Sequence, residues 1–414
     1  MASYREWILP LNPPNPYGLY LFSLAPVLPG ETKIYYTKYI LGIIGELDLS
    51  LSEGNVREWT CPPQLYTSTY TSGLLEHAER GPDPSAIWCN LRYPGALVQF
   101  RPASGLFIRY SPRGRGPVFS PDDLKFDGTG KLWFCGSTGS YNTIKAGISC
   151  FNPATKEVTT WEIPNDVMLN IVSIFPNRAG RKVWVSSIDA NAGSTRHWIG
   201  CLDVGTGTLA CFSPSPYVSP PRSRNIVLRE NGSKELVWFT AAKNGAANAV
   251  VPGIYALAPG EGIFYKYEID TGSWPRYIAL DAEGLAYVTD IANNSIIRCD
   301  PAKSCRTIPF RSCEFHLSQS SRQLHATKYS VHPVVSTAPS RADTVQVTRF
   351  PCTTAYGGMS MGMPDHIRCQ LPTRQMEVEE SRNSSLYFAH IKKIRKPSLY
   401  FVNWGYNKVG VLRT

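Results

Sequence analysis

No stretch of the chain reaches the roughly 18 apolar residues of a membrane-spanning helix, so a span is not expected. No CxxC pair occurs among its 11 cysteines, which argues against zinc ribbons and dithiol redox motifs. There is no P-loop, no Rossmann glycine fingerprint and no G-x-S-x-G elbow. Charged residues make up only 18% of the chain, against about 25% in an ordinary globular protein. The net charge is +10, yet no run of five basic residues exists; the densest segment is Lys392-Lys393-Ile394-Arg395-Lys396. With no binding motif beside that charge, nucleic acid is not expected as a partner. A small anionic or electron-rich molecule fits better. The opening Met1-Ala2-Ser3-Tyr4-Arg5-Glu6-Trp7 lacks the apolar core of a secretory signal. The cysteines are scattered, and Cys89 and Cys135 sit in apolar runs where a free thiol acts as a small apolar side chain. Reduced thiols and a cytoplasmic location are the expectation. Cys299, Cys305 and Cys313 are close enough in sequence for a disulfide or thiolate site.

What the chain does have is a repeated phrase: apolar, aromatic, apolar, small. It reads Ile34-Tyr35-Tyr36-Thr37, Ile87-Trp88-Cys89-Asn90, Leu132-Trp133-Phe134-Cys135, Val183-Trp184-Val185-Ser186, Val237-Trp238-Phe239-Thr240, Ala286-Tyr287-Val288-Thr289 and Leu399-Tyr400-Phe401-Val402. The copies lie about 45–55 residues apart except before the last, the signature of a propeller or another repeat array. β-branched and aromatic residues in such short runs suit buried strands. The 33 glycines and 33 prolines fit many strands joined by turns.

Each repeat reads as four strands. In the third copy these are 122–126, 131–135, 146–151 and 157–163, with Asp127-Gly128-Thr129-Gly130 as the first turn. The sixth copy repeats the plan and ends on an outer strand at 306–310. The chain stops one strand short, and an orphan outer strand stands at Tyr4–Pro10. Pairing the termini closes the ring and removes an edge. The expected fold is therefore all-β: one seven-bladed β-propeller domain over 1–414, with six blades as the alternative count. Residues 311–397 are expected as an insertion near the last blade, a lid or a surface loop, carrying the Met359, Met361 and Met363 cluster.

The repeat unit resembles the streptogramin (virginiamycin B) lyase-like seven-bladed propellers. The residues that carry the resemblance are Asn15-Pro16-Tyr17-Gly18-Leu19, Trp274-Pro275-Arg276-Tyr277-Ile278 and Pro364-Asp365-His366-Ile367, with the aromatic second strands. The lyase members present a histidine after proline on one late inner strand, and a glutamate, proline and histidine on the next. Here those places hold Arg276, and Met363, Pro364 and Asp365, with His366 one position off. Elimination needs a base held near the proton it removes, so this departure puts lyase chemistry in doubt. The general character, a lyase-like propeller with rewritten catalytic positions and a late insertion, also resembles the fungal hetero-Diels–Alderases of tropolone sesquiterpenoid biosynthesis. That resemblance implies a secondary-metabolism pericyclase of meroterpenoid assembly. It would join a tropolone-type ortho-quinone methide to a humulene-type sesquiterpene, without a cofactor or metal.

Inner-strand starts converge on one end of a propeller channel in this family. Read blade by blade, they give Tyr17, Asp122, Leu169, Arg224, Arg276 and Asp365, with no clear equivalent in the second copy. Asn170, Asn225 and Tyr277 follow them, and Asn90, Lys243, Asp290 and Trp404 close the second strands. Arg276 and Arg224, with Tyr277, are the expected hydrogen-bond donors to a heterodiene carbonyl. Asp365 and His366 are candidates for assisting water loss. Tyr17, Asn170, Trp274, Asp290, Met361, Met363 and Trp404 are the expected substrate-binding set. A ring of charges that only satisfies itself is the competing reading. Asp122, Asn170, Asn225 and Asp290 would suit a divalent metal, leaving a metal-dependent lactonase or other hydrolase as the enzyme alternative. A non-enzymatic protein-binding propeller is the other.

Overall fold

A computed structural model describes residues 2–9, 21–28, 31–38, 41–50, 53–63, 75–91, 95–112, 119–138, 145–164, 166–168, 171–187, 198–214, 225–231, 234–241, 253–269, 273, 275–281, 284–290, 295–299, 305–338, 340–345, 349–351, 363–370, 398–404 and 408–413. Among these the chain is built of antiparallel strands with one short 3₁₀ turn at Pro259–Glu261. The strands fall into four-stranded meanders whose inner strands are Leu21–Leu24, Leu75–Arg80, Phe119–Phe126, Ile171–Pro176, Ile226–Asn231, Pro275–Leu280 and Met363–Gln370. These inner strands pack against one another in cyclic order, the last beside the first. We number the units one to seven in that order. The fold is a β-propeller, and every copy of the aromatic phrase is the second strand of its unit.

The aromatic residue of the second strand explains the packing. Trp133 stacks on Trp161 of its own outer strand at 5.6 Å between centroids, and Trp238 on Tyr267 at 5.1 Å. Such rings fill the space between neighbouring sheets, so each apolar cluster belongs to a junction of two units. One cluster joins units three and four through Trp133, Ile148, Ile174 and Val185; another joins units four and five through Trp184, Trp198 and Phe239. Burial of both faces is why the second strands are apolar throughout.

The ring closes as the termini require. Ala2–Ile8 lies against Lys408–Arg413 as the outer strand of unit seven, with Tyr4 opposite Leu412.

Residues 306–351 differ from expectation. The segment 306–310 is not the outer strand of unit six. Its residues 306–309 pair with Ile263–Lys266 of unit five, and 310–316 then run along Thr208–Pro214 of unit four. Residues 318–323 continue along the outer strand of unit three, 324–330 along that of unit two and 334–338 along that of unit one. Residues 340–345 pair with the N-terminal strand in unit seven. Only then does Arg349–Pro351 pair with Ser295–Cys299 and give unit six its fourth strand. The chain leaves unit six after three strands, circles the ring backwards and returns to complete it. The first part of the expected 311–397 insertion is thus a girdle on the outer edges. Residues 352–362 and 371–397 lie outside the described residues.

A seven-residue period runs through this girdle. Phe310, Leu317, Leu324 and Val331 each donate a backbone N–H to the carbonyl of the residue before an outer strand, at Gly262, Gly207, Lys156 and Gly105. All four of those acceptor residues have positive φ. The side chains of the four donors pack into the junction clusters of units four/five, three/four, two/three and one/two respectively. Ala338 and Val345 continue the period opposite Gly54 and Ala2. Seven extended residues span about 23 Å, at roughly 3.3 Å each, which is then the step from one unit to the next along the rim. An outer strand left bare would present unpaired N–H and C=O groups; the girdle covers them.

Candidate functional site

Six inner strands carry a register shift near their start: between Leu21 and Ser23, Leu75 and Ala78, Pro121 and Asp123, Ile171 and Ser173, Pro275 and Ile278, and Pro364 and His366. A bulge re-aims the extra side chain and bends the strand. Aligned on the second-strand aromatic, the bulged residues are Phe22, Glu76, Asp122, Val172, Arg276 and Asp365. In unit five the same count reaches Arg224, which lies outside the described residues. This corrects two positions: Phe22 stands where Tyr17 was expected, and Val172 where Leu169 was. It also supplies the missing second unit, with Glu76 and His77. The distance from proline to bulge differs between units, so counting forward from proline misses them, while the register against the second strand finds them.

The residue after the bulge faces the other way in units three, four and six, where Asp123, Ser173 and Tyr277 are buried and Asp122, Val172 and Arg276 are partly exposed. Ser23 and His77 are buried too, and in unit two so is the bulged Glu76. The buried set stitches the ring. Ser23 Oγ accepts the N–H of Ala78 at 3.1 Å, Asp123 Oδ2 that of Ile174 at 3.2 Å, and Ser173 Oγ that of Ile226 at 3.0 Å. Second-strand side chains hold the bulge carbonyls: Thr37 donates to Glu76 O at 2.5 Å, Asn90 to Pro121 O at 2.6 Å and Thr240 to Arg276 O at 2.7 Å. Bulge geometry is therefore fixed from the neighbouring unit, which preorganises whatever the bulged side chains do.

Arg276 sits on this frame with its guanidinium carbon 5.5 Å from the centre of the Tyr277 ring. Tyr277 donates its N–H to Thr289 Oγ1 at 3.0 Å and is only 1% exposed. That burial corrects the expectation of Tyr277 as an open-mouth donor: its ring is the platform under Arg276. Asp290 is likewise fully buried, opposite Pro275 in the strand pair, rather than on an open rim.

Across the ring stands an ionic chain the sequence reading missed. Asn90 donates through Nδ2 to Glu76 Oε2 at 2.9 Å and accepts the His77 N–H at 2.7 Å. His77 Nδ1 lies 3.6 Å from Asp123 Oδ1, Lys125 Nζ 3.8 Å from the same atom and 2.8 Å from Glu79. In unit one, Lys38 occupies the place Asp290 holds in unit six. It is fully buried 2.6 Å from Glu58, and burial pulls its ammonium below the ordinary lysine value, with Glu58 opposing. Burial with the Glu58 charge pushes the neighbouring Tyr36 hydroxyl well up.

Tyr17, Asn170, Trp274 and Met361 lie outside the described residues. Met363, Asp365, His366 and Trp404 are placed by backbone alone, Met363 opposite Trp404 at the start of the unit-seven hairpin. Among the described residues no group of three His, Cys, Asp or Glu side chains is arranged to hold a metal ion. Cys313 is separated from Cys305 and faces Cys211 instead. No helix among the described residues is long and apolar enough to cross a membrane.

No family model matches the sequence, and no curated protein matches it. Solved structures do share its fold. Virginiamycin B lyase from Staphylococcus aureus, in selenomethionine form, aligns over 100% of both chains with a TM-score of 0.58 at 14% identity. A catalytically inactive histidine-to-alanine variant of that enzyme, with quinupristin, aligns over 100% of both chains with a TM-score of 0.58 at 13% identity.

Proposed function

We propose that the protein is a small-molecule enzyme of lyase-like propeller type that works at the bulged end of its channel by positioning and charge stabilisation. The observation that carries this is Arg276: a part-exposed arginine on an inner-strand bulge, its guanidinium seated on Tyr277 and its carbonyl pinned by Thr240. A donor held in this way stabilises charge that develops on an oxygen without first having to reorganise. The reaction proposed is an inverse-electron-demand hetero-Diels–Alder cycloaddition of a tropolone-type ortho-quinone methide with a humulene-type sesquiterpene. Arg276, with Arg224, lowers the accepting orbital of the heterodiene carbonyl. Asp365 and His366 assist loss of water as the quinone methide forms, and Trp274, Trp404, Met361 and Met363 wall the hydrocarbon. Holding both reactants in register is worth at most about 7–11 kcal/mol.

A base-driven elimination is the second reading, favoured by Glu76 and Asp122 on the same ring of bulges and by the shared fold. The two separate in one experiment. The purified chain is given a tropolone quinone methide generated in place, together with humulene, and the adduct is followed by chiral chromatography. The cycloaddition reading expects one enantiomer in excess, and Arg276→Ala is expected to cost about 10²–10³-fold while Glu76→Gln leaves the rate unchanged. Racemic adduct at the background rate overturns it. A full-rate Arg276→Ala variant overturns the donor assignment.

A further inference from the structure

Cys211 and Cys313 are far apart in sequence and directly opposite in register. Cys211 is in the outer strand Thr208–Pro214 of unit four, and Cys313 in the girdle strand Arg306–His316. Both pack into the same cluster between units three and four, so both side chains lie on one face of the pair. Four residues further along the same register, Leu317 donates its N–H to Gly207 O at 3.0 Å. Hydrogen-bonded and open pairs alternate in an antiparallel ladder, so the cysteines share the hydrogen-bonded type, with Cα atoms about 5.5 Å apart. That Cα spacing lies within the range found for disulfides. Cys211 is fully buried while Cys313 is partly exposed, so an oxidant meets Cys313 first. Neither cysteine is disulfide-bonded in this structure.

We propose that Cys211 and Cys313 are a modification site: a thiol pair that low-molecular-weight disulfides oxidise to a girdle-locking disulfide. The Cys313 thiolate attacks an oxidised small disulfide, displacing one thiolate and forming a mixed disulfide. Cys211 then loses its proton and attacks Cys313 Sγ, displacing the second thiolate. Two protein thiols and one small disulfide become one protein disulfide and two small thiols. Burial and the nearby Cys313 sulfur raise the Cys211 thiol well above its ordinary range, which makes the second step the slow one. The closed loop of about a hundred residues holds unit five and the first three strands of unit six, so the bond fastens the girdle to the outer strand of unit four.

The test treats the full chain with oxidised glutathione and maps its peptides without reduction. The expected result is a Cys211–Cys313 peptide pair, an intact mass lower by two hydrogens apart from any glutathione on exposed Cys305, and reversal by dithiothreitol. The bridge persists in Cys305→Ser and is lost in Cys211→Ser and Cys313→Ser. Amides of 310–316 are expected to exchange roughly tenfold more slowly in the oxidised chain. A bridge from Cys313 to any other cysteine, or a glutathione adduct that persists on Cys313, overturns the proposal. The wild-type map decides the matter even where a variant fails to fold.

Discussion

Leu324→Ala tests whether the girdle is held by its seven-residue apolar period. Leu324 is 4% exposed and packs with Trp88, Tyr110 and Phe151 at the junction of units two and three. Burying and then deleting such a side chain costs about 2–5 kcal/mol; a site at the rim relaxes more than one deep inside, so about 2–3 kcal/mol is expected. The loss acts locally first, because an outer strand opens without the ring. At about 1.4 kcal/mol per factor of ten, the opening equilibrium of the girdle rises roughly 30–150-fold. The assay is native-state hydrogen exchange of the Leu324 amide, bonded to Lys156 O at 2.9 Å, and of its girdle neighbours. Thr327→Ala is the control: Thr327 is exposed, and its loss is expected to stay within about 0.5 kcal/mol. If the girdle amides exchange in Leu324→Ala as they do in Thr327→Ala, the period is a coincidence of sequence and the reasoning fails.

Gly105→Ala should loosen the same girdle from the other side. Gly105 has φ +62°, and a Cβ there would stand 1.9 Å from Val331 O; the left-handed backbone alone costs about 1–2 kcal/mol, read as a lower urea midpoint. Asp127→Ala is expected to cost about 3 kcal/mol or more. Asp127 accepts from Thr129 N, Thr129 Oγ1, Lys131 N and Trp133 Nε1 at 2.8, 2.7, 3.0 and 2.7 Å, and denaturation followed by tryptophan fluorescence would show the loss. Asp203 gives a pH dependence. The Thr206 backbone N–H holds its carboxyl below the ordinary 3.8, so its stabilisation is present above that value and lost as pH falls through the lower folded one. Exchange protection at Gly207 should drop over that acid window in the wild type and become flat in Asp203→Asn.

The second strands were legible because burial on both faces forces an unbroken apolar phrase, as in Val183–Ser186. The N-terminal outer strand was legible because the last unit lacks an outer strand and Tyr4–Pro10 is a spare one. The girdle was not. Ser318-Gln319-Ser320-Ser321 reads as a solvated loop, since a rim strand is exposed on most of its surface and these four residues lie between the junction-packed Leu317 and Leu324. Proline at 309 disguised it further by resembling the end of a unit. In the site, Arg276 and Asp122 could be counted from a nearby proline. Glu76 and His77 could not, because leucine and not proline stands directly before them.

Residue order alone dictated a ring of small sheets, since each aromatic phrase has apolar side chains that only a neighbouring sheet can cover. It also dictated the strand exchange that closes the ring, since one end lacked what the other held spare. Only the folded chain decided which polar residues tie the units together and which are carried on bulges, because that division follows from strand register and not from residue type. The path of 306–351 was likewise decided in three dimensions: an outer edge accepts any extended backbone, and the girdle is specified by its distance around the rim rather than by its composition.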